Sequence, residues 1–160
     1  MSDAKIKDPS AYSTFNQFFT RELAKNARPQ PFDRRKVTSP ADGTISRSGD
    51  IKGETLIQAK GRQYSLKSLL GDEKLVALFS DGTYHTIYLA PYNYHRIHMP
   101  SDGEARFLRY TPGHLFSVNK NTVNNINNLF CVNERASIVY ESDSGYFALV
   151  MVGALNVGSF

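Results

Sequence analysis

Tyr92-Asn93-Tyr94-His95-Arg96-Ile97-His98-Met99 lies between Pro91 and Pro100 and sets two imidazoles three residues apart. Each proline fixes its own φ and removes a backbone donor, so this segment is predicted to be a shaped loop rather than a helix or strand. Imidazole has the side-chain pKa nearest neutral pH, which suits His95 and His98 to moving protons. A carboxylate stands upstream, in Ser39-Pro40-Ala41-Asp42-Gly43. Asp before Gly is first of all a turn, with the carboxylate bonding local donors and Gly taking a positive φ. The chemical alternative is a carboxylate that orients a histidine, as the acid does in a Ser-His-Asp arrangement. With His85 and His114 the chain has four histidines. No second pair has the spacing of a structural zinc site, so no metal is expected; a histidine-based metal hydrolase is the weakest of the functional alternatives. Arg96 holds either an acidic group or a carbonyl. No Gly-rich phosphate cradle or nucleophile elbow is present.

Composition narrows the classes. A chain of 160 residues, 41% hydrophobic and 21% charged, fits one domain with a real core. Cys131, the single cysteine, excludes an internal disulfide and reads as a plain buried thiol. There is no apolar run of membrane-spanning length and no signal-type start, so a reducing, cytoplasmic setting is expected. Charge is uneven: residues 1–80 carry 14 Lys/Arg against 9 Asp/Glu, and residues 81–160 carry 5 against 6. A basic first half suits an anionic surface, although a solvated face is the commoner meaning of such an excess. The basic residues are scattered and no nucleic-acid motif accompanies them, so nucleic acid is not an expected partner.

The elements that must position these groups are short. Phe15, Phe18, Phe19 and Leu23 follow i, i+3, i+4, i+8 spacing and predict an amphipathic helix over 12–26. Thr14 with Gln17 fits its capping box, and Asn26 with Pro29 its end. Such a stripe either docks on the core, its usual use, or rests against a membrane surface. Beyond Pro31, strands are predicted at Thr44–Arg47, Thr55–Ala59, Leu75–Phe79, Tyr84–Leu89, Ala105–Tyr110, Ala136–Tyr140, Phe147–Val152 and Leu155–Phe160. Asp81-Gly82 predicts a type I′ hairpin. Ser65 caps a short helix carrying Leu66, Leu69 and Leu70, and Asn119–Asn128 reads as a loop with a helical turn. The expected fold is mostly β (α+β): an antiparallel sheet folded as a sandwich or barrel, with two or three short helices, in a single domain over 1–160. Leu149–Val157 has the make-up of a central strand, so that sheet is expected to be incomplete at its C-terminal edge.

Taken together, these segments resemble the phosphatidylserine decarboxylase family. The matches run in order: Thr14-Phe15-Asn16-Gln17-Phe18-Phe19-Thr20-Arg21, Pro40-Ala41-Asp42-Gly43, Lys60-Gly61 with Tyr64-Ser65-Leu66, and Tyr94-His95-Arg96-Ile97-His98-Met99-Pro100. They continue through Pro112-Gly113 with Leu115–Asn119, Leu129-Phe130 with Asn133-Glu134-Arg135, and Val152-Gly153-Ala154 with Val157-Gly158-Ser159. The resemblance implies removal of CO₂ from the serine head group of phosphatidylserine to give phosphatidylethanolamine. It also implies a proenzyme whose serine attacks the preceding carbonyl, splits the chain and becomes an N-terminal pyruvoyl group, the electron sink of the reaction. Asp42 then corresponds to the acid and His98 to the base that activates this serine. His95 corresponds to the imidazole that assists decarboxylation or reprotonation, and Ser117 and Val118, by weaker analogy, line the head-group pocket. The implied setting is peripheral, at the inner face of an anionic membrane.

Three departures stand out. Asn93 occupies a position where many members carry Asp, and the membrane-docking N-terminal segment is short or absent. The Leu-Gly-Ser-Thr type cleavage motif is missing, and Gly158-Ser159 matches an earlier Val-Gly-Ser element instead. The expectation is therefore a β-chain-like fragment, inactive alone. Its pyruvoyl group would derive from a serine outside this chain, and its partner would be an α-chain segment carrying that serine. The alternative is a non-catalytic anionic phospholipid-binding protein derived from the same family. A homodimer is left open.

Overall fold

Thr44–Asp50 (β1), the first strand, carries the chain out of one folded unit and into a second. The computed structural model describes every residue except 30, 32, 34, 35, 60, 156, 159 and 160. Among the described residues the first unit comprises Met1–Ile45 and Ile87–Asp102, and the second Ser46–Thr86 and Gly103–Phe160. The expected strand at Leu155–Phe160 and the matches at Lys60 and Ser159 lie partly outside the described residues.

The second unit holds the main apolar core. Thr55–Ala59 (β2) pairs antiparallel with Arg62–Ser65 (β3). Ser65 then caps Leu66–Leu70 (α2) by accepting from Ser68 N at 2.9 Å. Leu66, Leu69 and Leu70 are buried with Leu56, Tyr64, Leu129, Phe130 and Val139 in one cluster. Gln58, fully buried, is satisfied at both ends: Nε2 donates to the carbonyls of Val123 and Ile126 at 2.8 and 2.7 Å, and Oε1 accepts from Leu129 N at 2.8 Å. Those partners belong to the end of Lys120–Asn125 (α4) and the start of Leu129–Val132 (α5). Glu104–Thr111 (β5), Arg135–Ser142 (β6) and Gly145–Val152 (β7) form a three-stranded antiparallel sheet in the order β5-β6-β7.

Leu75–Phe79, expected as a strand, is instead part of the helix Glu73–Phe79 (α3). Asp72 caps it by accepting from Lys74 N at 2.9 Å, and Leu75 and Val76 turn onto the core. A five-residue apolar run reads alike in either element, and the Asp-Glu cap decides for the helix. The Asp81-Gly82 hairpin goes with it. Neither residue has a positive φ, and Gly82 N closes the helix end on Phe79 O at 3.0 Å before Thr83–Tyr88 (β4) begins. β4 pairs with β1, so the described strands form three small sheets and no closed barrel, within the α+β class.

In the first unit the helix expected over 12–26 is confined to Phe15–Phe19 (α1). Its start is as expected: Thr14 accepts from Gln17 N at 3.2 Å, and Gln17 Oε1 accepts from Ser13 N at 3.0 Å. Its end is set by backbone competition. Lys5 N bonds Glu22 O at 2.9 Å, Ala24 N bonds Asp3 O at 2.8 Å, and Leu23 bridges Ala4. Residues 22–24 cannot pair with the N-terminal segment and also continue a helix. Phe18 and Phe19 are half-buried, and Phe15 stays 67% exposed.

Gly43 also differs from the turn reading, because its φ is not positive. A Cβ there would meet Tyr88 O at 2.5 Å, so glycine is required by the close approach of two backbones.

Candidate active site

Both candidate loops, Ser39–Gly43 and Pro91–Pro100, lie in the first unit, and backbone bonds hold one against the other. The segment from Pro91 to Pro100 has no regular structure, as its prolines predict. Asn93 shapes its start: Asn93 N donates to Ala90 O, and Asn93 Oδ1 accepts from Ala90 N, both at 2.8 Å. Aspartate in that place would offer the same acceptor, so the departure at Asn93 preserves the turn. Further along, His98 N donates to Pro40 O at 2.8 Å, and Thr38 N donates to Pro100 O at 2.9 Å. These two bonds align the histidine loop with Ser39-Pro40-Ala41-Asp42 and bring His98 beside Asp42.

Asp42 and His98 are neighbours with separate partners. Arg28 Nε donates to Asp42 Oδ1 at 3.0 Å and Oδ2 at 3.1 Å, and Nη2 also bonds Oδ2. Arg28 Nη1 reaches Asp3 Oδ2 at 3.1 Å. This fork holds the Asp42 carboxyl below the usual carboxylate range; burial opposes it and His98 adds a smaller pull in the same direction. His98 Nε2 is 2.8 Å from the hydroxyl of Tyr94, which is buried within the loop. An open groove of about 590 Å³ runs along His98, lined also by Lys5, Glu22, Lys25, Tyr94 and Arg96.

His95 is placed differently. Its ring packs on Phe19 with centroids 3.9 Å apart, and Nδ1 lies 2.9 Å from Asn93 O. A carbonyl accepts only, so Nδ1 carries the hydrogen and Nε2 presents its lone pair. Burial, the largest influence, pushes the imidazole below its ordinary 6.5; the Asn93 bond opposes this and the charge on Arg21 assists it. The ring is therefore neutral at neutral pH. The unfolded chain takes up this proton at a higher pH than the folded chain. Stability from His95 is complete above about 6.5 and is lost as pH falls through the lower folded value. The thermal midpoint is expected to fall less steeply in His95→Gln than in the parent between about pH 7.5 and about pH 5. Parallel curves would show that the ring titrates as if exposed.

Ser117 and Val118 belong to the second unit. Ser117 Oγ accepts from Asn119 N at 3.4 Å, and Val118 packs partly against the apolar core. The chain before them is held by His114, whose N and O bond Val132 O at 2.9 Å and Glu134 N at 2.8 Å. His114 stacks on Phe116 with centroids 4.8 Å apart. Among the described residues no group of three or more His, Cys, Asp or Glu could hold a metal ion. Among the described residues no helix is long and apolar enough to cross a membrane.

Arg28 and Tyr94 are the site residues that sequence reasoning missed. Tyr94 had a weak signal, four residues before His98 in a loop of fixed shape. Arg28 had none, because only the fold brings it to Asp42.

The family described as phosphatidylserine decarboxylase matches residues 15–160 of this chain. The phosphatidylserine decarboxylase proenzyme of Alkalilimnicola ehrlichii is 51% identical over 160 residues, covering 99% of this chain and 56% of the relative. The proenzymes of Vibrio parahaemolyticus and Aliivibrio fischeri are each 49% identical over the same shares. The chain thus spans a little over half the length of the curated relatives it matches.

Proposed function

The chain belongs to the phosphatidylserine decarboxylase family, and from this we propose that it supplies the acid–base groups of a self-maturing phosphatidylserine decarboxylase. In this proposal Asp42 and His98 activate a serine lying outside residues 1–160, and that serine becomes a pyruvoyl group. The single observation that carries the proposal is the bond from His98 N to Pro40 O, which sets a base beside an ionised carboxylate. The groove runs along the exposed His98 ring, so a hydroxyl entering it can exchange with the Tyr94 hydroxyl now at Nε2.

The support for a pyruvoyl group in this chain is His95, whose Nδ1 is held by Asn93 O so that Nε2 is left to exchange protons beside such a group. When present, the group supplies a carbonyl that reacts with the substrate amine and takes up the electrons left by departing CO₂. The residues of this chain manage protons around it. The substrate ammonium must lose a proton before it can react, and His95 receives that proton at the free Nε2. The same atom then returns it to the carbon that has lost CO₂, which leaves His95 neutral again. Phosphatidylserine is met at an anionic bilayer on the cytoplasmic side. The excess of basic residues in 1–80 and the exposed rings of Phe15 and Tyr92, 67% and 80% accessible, support contact with that surface.

Co-expression with a C-terminal segment of a family member bearing the serine is the test. The expected product is a chain with an N-terminal pyruvoyl group, identified by mass. Its absence at every ratio of the two chains would overturn the proposal. A second reading is a non-catalytic binder of anionic phospholipid, favoured by the capture of Asp42 by Arg28 rather than by His98. It predicts no pyruvoyl product and co-sedimentation with vesicles only when they contain phosphatidylserine.

A further inference from the structure

We infer that Tyr94 is the positioning residue of His98: its buried phenol donates to Nε2 and so fixes which ring nitrogen is free to accept a proton. The inference deepens the proposed role of His98 and rests on it only for its consequence in maturation.

Tyr94 is 6% exposed, and burial, the largest influence, pushes its pKa upward. It therefore keeps its proton at neutral pH. Among the described residues its hydrogen-bond partner is His98 Nε2, at 2.8 Å. A buried hydroxyl proton left without an acceptor is costly, so the proton points at Nε2. Neutral His98 then carries its own hydrogen on Nδ1. A base that takes a proton from a serine at Nε2 must be in this tautomer, as the triad histidine is.

The geometry has a second consequence. Tyr94 occupies the position at Nε2 that a serine hydroxyl takes in a triad. The two rings lie 26° apart in plane with centroids 5.5 Å apart, so the phenol approaches Nε2 from within its own loop. The nucleophile must therefore displace a hydroxyl of its own kind, exchanging one O–H donor for another. The imidazole keeps the same tautomer before and after the exchange. Without the phenol, Nε2 meets solvent in the groove and a share of molecules move the hydrogen to Nε2. Those molecules cannot accept there.

Tyr94→Phe removes one oxygen and leaves the ring packing intact. Nitrogen-15 NMR of the 160-residue chain reads the His98 tautomer directly, without reference to catalysis. The parent is expected to show hydrogen on Nδ1 and an unprotonated Nε2, and Tyr94→Phe a mixture or the reverse. Hydrogen on Nε2 in the parent, or an unchanged tautomer in Tyr94→Phe, would overturn the inference. In the complemented protein, Tyr94→Phe is expected to slow self-cleavage about tenfold, below the roughly 10²–10⁴-fold that a general base itself contributes. Cleavage at the parent rate would also count against the inference. Failure of the complemented parent to cleave, with the expected NMR result, would instead refute the proposed function and leave the assignment of Tyr94 standing.

Discussion

His98→Ala is expected to stop self-cleavage of the complemented protein, with a loss of roughly 10⁴–10⁶-fold, the range seen when a triad base is removed. The effect follows from which parts of His98 the fold uses. Its backbone nitrogen bonds Pro40 O, and alanine retains that bond. Its ring is exposed along the groove and bonds Tyr94, so its removal costs about 1–3 kcal/mol of stability, because the buried Tyr94 hydroxyl loses its acceptor. A large kinetic loss with a small stability loss identifies the ring as the proton acceptor. The readouts are the rate of appearance of the pyruvoyl-bearing chain and a denaturation midpoint. A His98→Ala chain that matures at an ordinary rate would place the base elsewhere.

Asp42→Asn is expected to reduce cleavage by about 10³–10⁴-fold, because the neutral amide no longer favours a charged imidazole beside it. The difficulty is that Asp42 also holds Arg28, and its loss breaks that ion pair. Arg28→Gln separates the two roles. It removes the same pair while leaving the carboxylate in place. The partners are about a third exposed, 39% and 32%, so both variants should lose roughly 1 kcal/mol of stability or less. Cleavage is expected to diverge, falling by less than about tenfold in Arg28→Gln. Equal and severe loss in both variants would mean that Asp42 serves as an anchor for Arg28 and has no part in the chemistry.

The local signals in the chain were legible where a side chain acts on its own backbone. Ser65 and Thr14 mark helix starts because their oxygens reach a nitrogen three residues on, and both caps form. The strand at Thr55–Ala59 and the irregular loop at Pro91–Pro100 have the same character. Leu75–Phe79 failed because an apolar run of five residues has no period long enough to distinguish helix from strand. The helix over 12–26 failed for a different cause. Its pattern was sound, but Lys5 and Ala24 found backbone partners in each other's segments, and a pairing 17 to 21 residues away leaves no trace in local sequence.

Residue types and order, with no structure, were enough to nominate Asp42, His95 and His98 and to suggest the family, because loop shape, imidazole chemistry and ordered motifs are all properties of the chain itself. Tertiary structure decided who holds each group. Arg28 takes the carboxylate from 14 residues upstream, Tyr94 takes Nε2 of His98, and Phe19 with the Asn93 carbonyl fixes His95. Charge, tautomer and burial belong to these contacts. They arise only when distant segments meet, and no spacing along the chain encodes them.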